Sequence, residues 1–363
     1  MSRRFRPLAA ILLAVGFLLL SPDAALAWGP ATHVHTGVEI LRSLNLLPSY
    51  IAALLAEYPI DFLYGNLAAD ISMAKKYAPV GRHCHHWHVA REMFDAAGDD
   101  PRLQSAMLGY QCHLAADVLA HNSFVPRMLL LTSSTRGLGH SYWEHRMDAD
   151  LGAGYSNFAR WIVTRFDHRH TDELFQRILS STLFTFSTNR RIFRGMIRIN
   201  GNESWQAIFD TVIDNSRWDL DPTSVSRYHR HTFEMVADFL NRRDESEAVA
   251  HDPIGEDSLG EAKKIRRRAL MAGGWRTGEA ILSTADHHFP LPAGPTELWG
   301  ERGETGEDAL QMIEQAVEAA PSPGLEDVRR LLRPAHDRNP QNPEPGPGAP
   351  GLEQTGQAGR SPA

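Results

Sequence analysis

The sequence predicts an all-α, multi-helix bundle, and three observations carry that prediction. Apolar residues recur at spacings of three and four along most of the chain from Trp28 to about Glu245, the period of a helix with one buried face. Strand-like alternation is scarce, and no internal repeat marks a solenoid or propeller. The 363 residues, 42% hydrophobic and 22% charged, can bury a sizeable core in ordinary globular fashion.

The stripes come in order along the chain. Val38, Ile40, Leu41, Leu44 and Leu47 form one that ends at Pro48, which cannot continue a helix. Leu103, Met107, Leu108, Cys112, Leu114 and Val118 form a second over 103–121. Residues 158–167, 172–184, 203–215 and 228–242 read as further amphipathic helices. Beyond about His251 the texture changes, with helical patterns over 256–282 and 306–320 on either side of a Gly/Pro-rich stretch. From Pro334, Pro and Gly supply 12 of the last 30 residues, so the tail is expected to be disordered.

The first 27 residues read as a signal peptide. Arg3, Arg4 and Arg6 precede an apolar run from Leu8 to Leu20, and Ala25-Leu26-Ala27 supplies a small-x-small cleavage pattern. Cleavage after Ala27 would export the protein, to the periplasm or outside the cell, with Trp28 as its new N-terminus. No later segment is apolar enough to span a bilayer. The two cysteines, Cys84 and Cys112, pair or stay as buried thiols. A net charge of -7 argues against binding nucleic acid mainly by charge, but not against a metal-cored phosphodiesterase, whose ions bring positive charge to the site.

Histidine carries the chemical signal. Ten of the 18 histidines lie between His33 and His145, and histidine with carboxylates is the usual zinc donor set. His113, Asp117 and His121 are spaced four apart with apolar residues between. On a helix they share one face, about 6 Å per step. Three ionisable groups on a buried face are costly unless a cation compensates them. His140 and Glu144 repeat the i, i+4 spacing. Arg82-His83-Cys84-His85-His86-Trp87-His88 holds four histidines that cannot all face one way. Asp70 ends an apolar, glycine-containing run from Phe62 and is either a helix cap or a site acid. Asp148 continues the face of Glu144 and reads as a group that hydrogen-bonds nearby or faces solvent. A freed Trp28, with His33 close by, offers an amine and a carbonyl that can chelate a metal together.

In that order, these residues resemble the zinc-dependent phospholipase C family, which is similar in fold to the S1/P1-type nucleases. The carriers are Trp28 after the cleavage site, Thr32-His33, the stretch from Gly65 to Asp70, the His-rich segment, His113-xxx-Asp117-xxx-His121 and His140-Ser-x-x-Glu144. The resemblance covers roughly 28–150, is consistent with one helical domain over 28–245, and implies a cleft holding up to three zinc ions; the pattern beyond it reads as a helical extension over 246–333 with no role assigned. By position, one zinc would take Trp28, His33 and a bridging Asp117. A second would take His113, Asp117 and His86, chosen because an aromatic residue follows it, with His85 as the alternative. The third would take His121, His140 and Glu144, with Asp70 as general base or adjacent ligand.

The four-residue gap from Asp117 to His121 looks more like the branch with the glycosylphosphatidylinositol-specific phospholipase D of animals than like the bacterial lecithinases. The part beyond about 250 does not look like the lipid-binding β-sandwich of the clostridial toxins. The implied activity is hydrolysis of phosphodiesters, first of all in phospholipids, with transient membrane-surface contact and no protein partner indicated. Two rivals remain. One is a nuclease or 3′-nucleotidase, for which Trp87 and Trp143 are candidate base-stacking groups. The other is a non-catalytic zinc-binding exported protein. Arg82 and Arg146 are read as surface ion-pairing groups that would assist at most.

Overall fold

The computed structural model describes residues 28–132, 136–200, 206, 207, 211, 213, 216, 218, 220–271, 278–293, 298 and 313, with backbone alone for 136–141 and 278. Among them there is helix and no strand, so the chain is all-α as its periodicity predicts. The signal peptide (1–27), the tail (334–363), most of 203–215 and all of 306–320 but Ile313 lie outside the described residues.

The helices are α1 (Pro30–Arg42), α2 (Ser49–Glu57), α3 (Pro59–Ala68), α4 (Trp87–Ala96), α5 (Pro101–Leu119), α6 (Val125–Thr132) and α7 (Arg136–Asp150). They continue as α8 (Ala153–Arg165), α9 (Arg169–Ile178), α10 (Phe186–Asn200), α11 (Pro222–Arg242), α12 (Glu256–Met271) and α13 (Gly278–His288). The two longest, α5 and α11, start alike. Asp100 and Asp221 are N-caps whose carboxylates accept the amides of Leu103 and Ser224, and proline follows each. Proline suits the first turn because its missing N–H has no helical partner there.

Helix α5 is the axle of the fold. It packs on α3, α4 and α11, and nearly every side chain from Ser105 to Val118 is buried. Its crossing with α3 is close because two glycines meet. A Cβ at Gly65 would lie 1.8 Å from the Ala106 carbonyl oxygen, and one at Gly109 2.0 Å from that of Phe62. That intimacy sets Asn66 and Asp70 beside the polar face of α5. At Ala120–Phe124 the helix widens into a π segment, whose longer hydrogen-bond spacing takes up an extra residue. His121 therefore departs from the straight i, i+4, i+8 line expected for it.

Two other helices differ from expectation. The stripe over 172–184 stops being helical at Ile178, where Leu179 turns to extended backbone, and Thr182 beyond it donates its hydroxyl to the Met73 carbonyl. The pattern over 256–282 is two helices, α12 and α13, which pack on α6 through Leu130, Ala262, Ile265, Ala285 and Phe289. Arg127 ties α13 down, donating to the Phe289 carbonyl and the Asp286 carboxylate. Among the described residues no helix is long and apolar enough to cross a membrane.

Candidate metal centre

Asp117 lies at the middle of the polar face of α5 and is wholly buried. Three imidazoles surround it. His33 Nε2 is 3.3 Å from Oδ1, while His85 Nε2 and His113 Nε2 are 3.3 and 3.2 Å from Oδ2. Yet neither carboxylate oxygen has a partner in hydrogen-bond geometry. Burying an ionised carboxylate without good donors is expensive. The lone pairs here converge on shared space instead of on protons.

Asp70, just past α3, closes the group. Its Oδ1 is 3.3 Å from His85 Nε2 and 3.8 Å from His113 Nε2. Ligand atoms of His33, Asp70 and His113, and of His85, His113 and Asp117, lie within 4.8 Å of one another. Burial alone would raise the pKa of Asp117, but the His113 imidazole beside it, with contacts from His33 and His85, holds it well below the usual carboxylate range. His33 is pushed down to about 4, first by burial and then by His113, whose ring stacks on it at 3.7 Å. A neutral imidazole and an ionised carboxylate are the forms that bind zinc.

The second layer fixes which ring nitrogen faces inward. His113 Nδ1–H donates to the Asn66 carbonyl at 2.7 Å, leaving Nε2 toward Asp117. His85 Nδ1 lies 3.2 Å from Cys84 Sγ. His121 Nδ1–H donates to the Pro253 carbonyl at 2.5 Å. Such outer partners orient metal-binding histidines. The 252–255 turn can come this close because Gly255 has φ of +63°, and a Cβ there would sit 2.4 Å from the His121 carbonyl oxygen. The helical extension after 245 therefore supplies a wall of the site.

His33 is positioned by α1, whose first turn is held by Asp148. That carboxylate accepts the amides of Ala31 and Thr32 and the Thr32 hydroxyl, the hydrogen-bonding one of the two roles open to it. Trp28 is wholly buried. Its indole N–H donates to the Ala116 carbonyl at 3.0 Å, and its ring packs on Phe124. Residue 28 is thereby anchored next to Asp117 in the chain. Glu144 is buried, and burial, then Asp70 and Asp117, push its carboxyl well above its usual range. The side chain of His140 lies outside the described residues.

Sequence reasoning chose His86, and here the structure differs. His85 is the ring brought against Asp70, Asp117 and His113. His86 is the N-cap residue of α4, and its ring lies between those of His83 and His88, at 5.6 and 5.2 Å. Lys75 was not foreseen at all. Its ammonium is buried on Asp70 Oδ1 and lies 3.3 Å from His85 Nε2. A lysine in a 3-10 turn has no periodicity to betray it. Cys84 and Cys112 are both buried free thiols. Arg82 pairs with Glu92 as expected, whereas Arg146 donates to the Tyr142 hydroxyl and the Trp218 carbonyl.

The fold and donor set define an all-α protein with a buried His/Asp metal centre. Residues 32–185 match the model of the family described as zinc dependent phospholipase C, so this segment is of that family, as its motifs imply. Family and donor set together support a zinc-dependent phosphodiester hydrolase. No curated protein and no solved structure matches the chain.

Proposed function

We propose that the protein is exported, is cleaved after Ala27, and hydrolyses phosphodiester bonds of phospholipids with zinc held by Trp28, His33, His85, His113 and Asp117, and by His121, His140 and Glu144. The observation that carries this reading is Asp117, whose buried oxygens face three imidazoles without a hydrogen bond. Bound zinc would neutralise the phosphate and lower the pKa of bound water toward neutrality.

The chain's own groups then bind and orient. Asp70 faces a cleft also lined by His33, Leu67, Phe193, Met196 and Ile197, whose lining beyond the two site residues is mostly apolar. Burial opposes ionisation of Asp70, but Lys75 and His113 hold it far below the usual carboxylate range. With that ammonium upon it Asp70 is a weak proton acceptor, so it orients the attacking water more than it deprotonates it.

The nuclease alternative keeps only Trp87, half-buried, of its two stacking candidates. Trp143 is buried, its indole N–H directed at Thr132. Trp87 stacks on Phe239 and donates to the His251 carbonyl. The test uses processed, zinc-loaded protein with phosphatidylcholine and with single-stranded DNA. Chelator-sensitive cleavage of the lipid, restored by zinc and abolished when residues precede Trp28, is expected. Cleavage of DNA alone, or purified protein without stoichiometric zinc, would overturn the reading.

A further inference from the structure

We infer that the stretches 72–82 and 178–200 form one face that docks the protein on an anionic lipid surface, an inference that rests on the phospholipid reading. The two stretches are tied together. Met73 N–H donates to Asn189 Oδ1, the Thr182 hydroxyl to the Met73 carbonyl, and Arg82 to the Ile178 carbonyl. Between them they expose Tyr77, Val80, Leu183, Phe184 and Ile199, more than half of the large hydrophobic side chains exposed among the described residues. Scattered singly these would need no explanation, but gathered on one face they mark an interaction site.

Charge says what covers the face. Neither stretch contains an Asp or Glu, in a chain whose net charge is -7. Arg82 and Arg190 are spent on Glu92 and Asp172, while Lys76, Arg191 and Arg198 are exposed. Basic side chains interleaved with apolar ones fit an anionic membrane interface. Val80, Leu183 and Ile199 are aliphatic and cannot stack on nucleic-acid bases, so the mixture fits acyl chains better than a single strand.

The face meets the cleft only at its edge. Met196 of α10 lines the cleft with His33 and Asp70. At ~100° per residue, Ile199 lies ~60° round the helix from Met196, and Arg191 and Arg198 lie a further ~80–100° on. Ile199 thus edges the cleft, and the two arginines lie on the side of the helix away from it. Helix α10, which carries Arg191, Arg198 and Ile199, begins where the family match ends, at 185, while Tyr77, Val80, Leu183 and Phe184 lie within the match.

The experiment measures flotation of the processed, zinc-loaded protein with vesicles of phosphatidylcholine containing phosphatidylglycerol, and of phosphatidylcholine alone. Two variants are compared with wild type, Arg191→Glu with Arg198→Glu, and Leu183→Ser with Phe184→Ser. Hydrolysis of a monomeric short-chain phosphatidylcholine is measured in parallel. Wild type should prefer the anionic vesicles. The arginine variant should bind them about 25-fold more weakly or worse, the apolar variant should also lose binding, and both should hydrolyse the monomer like wild type. Variants that bind as wild type does, no preference for anionic vesicles, or binding of single-stranded DNA but not vesicles would overturn the docking face. Intact vesicle binding without hydrolysis of the monomer would sink the phospholipase reading and leave the face standing.

Discussion

Two buried polar clusters are served by the same helix, α3, and they are finished differently. In the first, Tyr64 donates its hydroxyl to Asp172 Oδ1 at 2.5 Å and Arg190 donates to Oδ2 at 2.8 Å. The Tyr64 ring stacks on His168 at 3.5 Å, and His168 donates to the Ile162 carbonyl. Both oxygens of Asp172 have donors. In the second cluster the Asn66 carbonyl orients His113, but neither oxygen of Asp117 has a donor in hydrogen-bond geometry. The first cluster is closed and structural. The second is held open by its outer partners, so a cation can complete it.

The strongest way to break this contrast is to delete each carboxylate. Asp117→Ala should strip zinc and reduce turnover by more than about 100-fold, beyond the loss typical of outer partners. Asp172→Ala leaves a buried tyrosine hydroxyl and a partly exposed arginine unpaired and should cost about 2 kcal/mol of stability, while the folded protein keeps its zinc. Metal analysis and thermal melts of the two variants decide it. Loss of zinc in Asp172→Ala would erase the distinction between closed and open clusters.

A second pair of variants sharpens the open cluster. His85→Ala should lose zinc and activity nearly as severely as Asp117→Ala, because its Nε2 faces both Asp70 and Asp117. His86→Ala should stay within a few-fold of wild type. The reverse result, read by zinc stoichiometry and kcat, would return the ligand role to His86.

What the sequence showed and what it hid follow from one rule. The α5 motif was legible because His113 and Asp117 at i, i+4 with apolar residues between can only form a buried polar stripe. The helical class was legible for the same reason of period. The choice among His83, His85, His86 and His88 was not, because the first three lie in the irregular stretch before α4 and His88 in its first turn, where no repeat fixes direction. Asn66 and Pro253 act through backbone carbonyls, which any residue type supplies. The π segment at Ala120 and the buried Lys75 are set by tertiary packing and leave no local signature.

Gly255 tests whether the extension really shapes the open cluster. Alanine there would be strained at a φ of +63° and would press on the backbone of His121, spoiling the Pro253 contact that fixes the ring. Zinc affinity should fall about 10–100-fold, the usual cost of a lost outer partner, with helix content unchanged by circular dichroism. Titration with a competing chelator reads this directly. An unchanged affinity would show that the 252–255 turn merely packs beside the site.

The smallest effect concerns a buried group that belongs to neither cluster. His229 of α11 is buried, and neither of its ring nitrogens has a hydrogen-bond partner. Its ring lies 5.0 Å from that of His35, and burial, then His35, hold its pKa well below 6.5. A base whose pKa is depressed on folding is neutral in the native state, so the unfolded chain binds the extra proton. Its contribution is whole above the unfolded value near 6.5 and drains away as pH falls below it. At pH 5.5, one unit below, the loss is about 1.4 kcal/mol. His229→Leu should remove that part of the acid destabilisation, while the zinc-site histidines titrate alike in both proteins and cancel. Denaturant melts of the metal-free pair at pH 7.5 and 5.5 measure the difference, and equal pH slopes would mean that His229 finds a proton acceptor in solution.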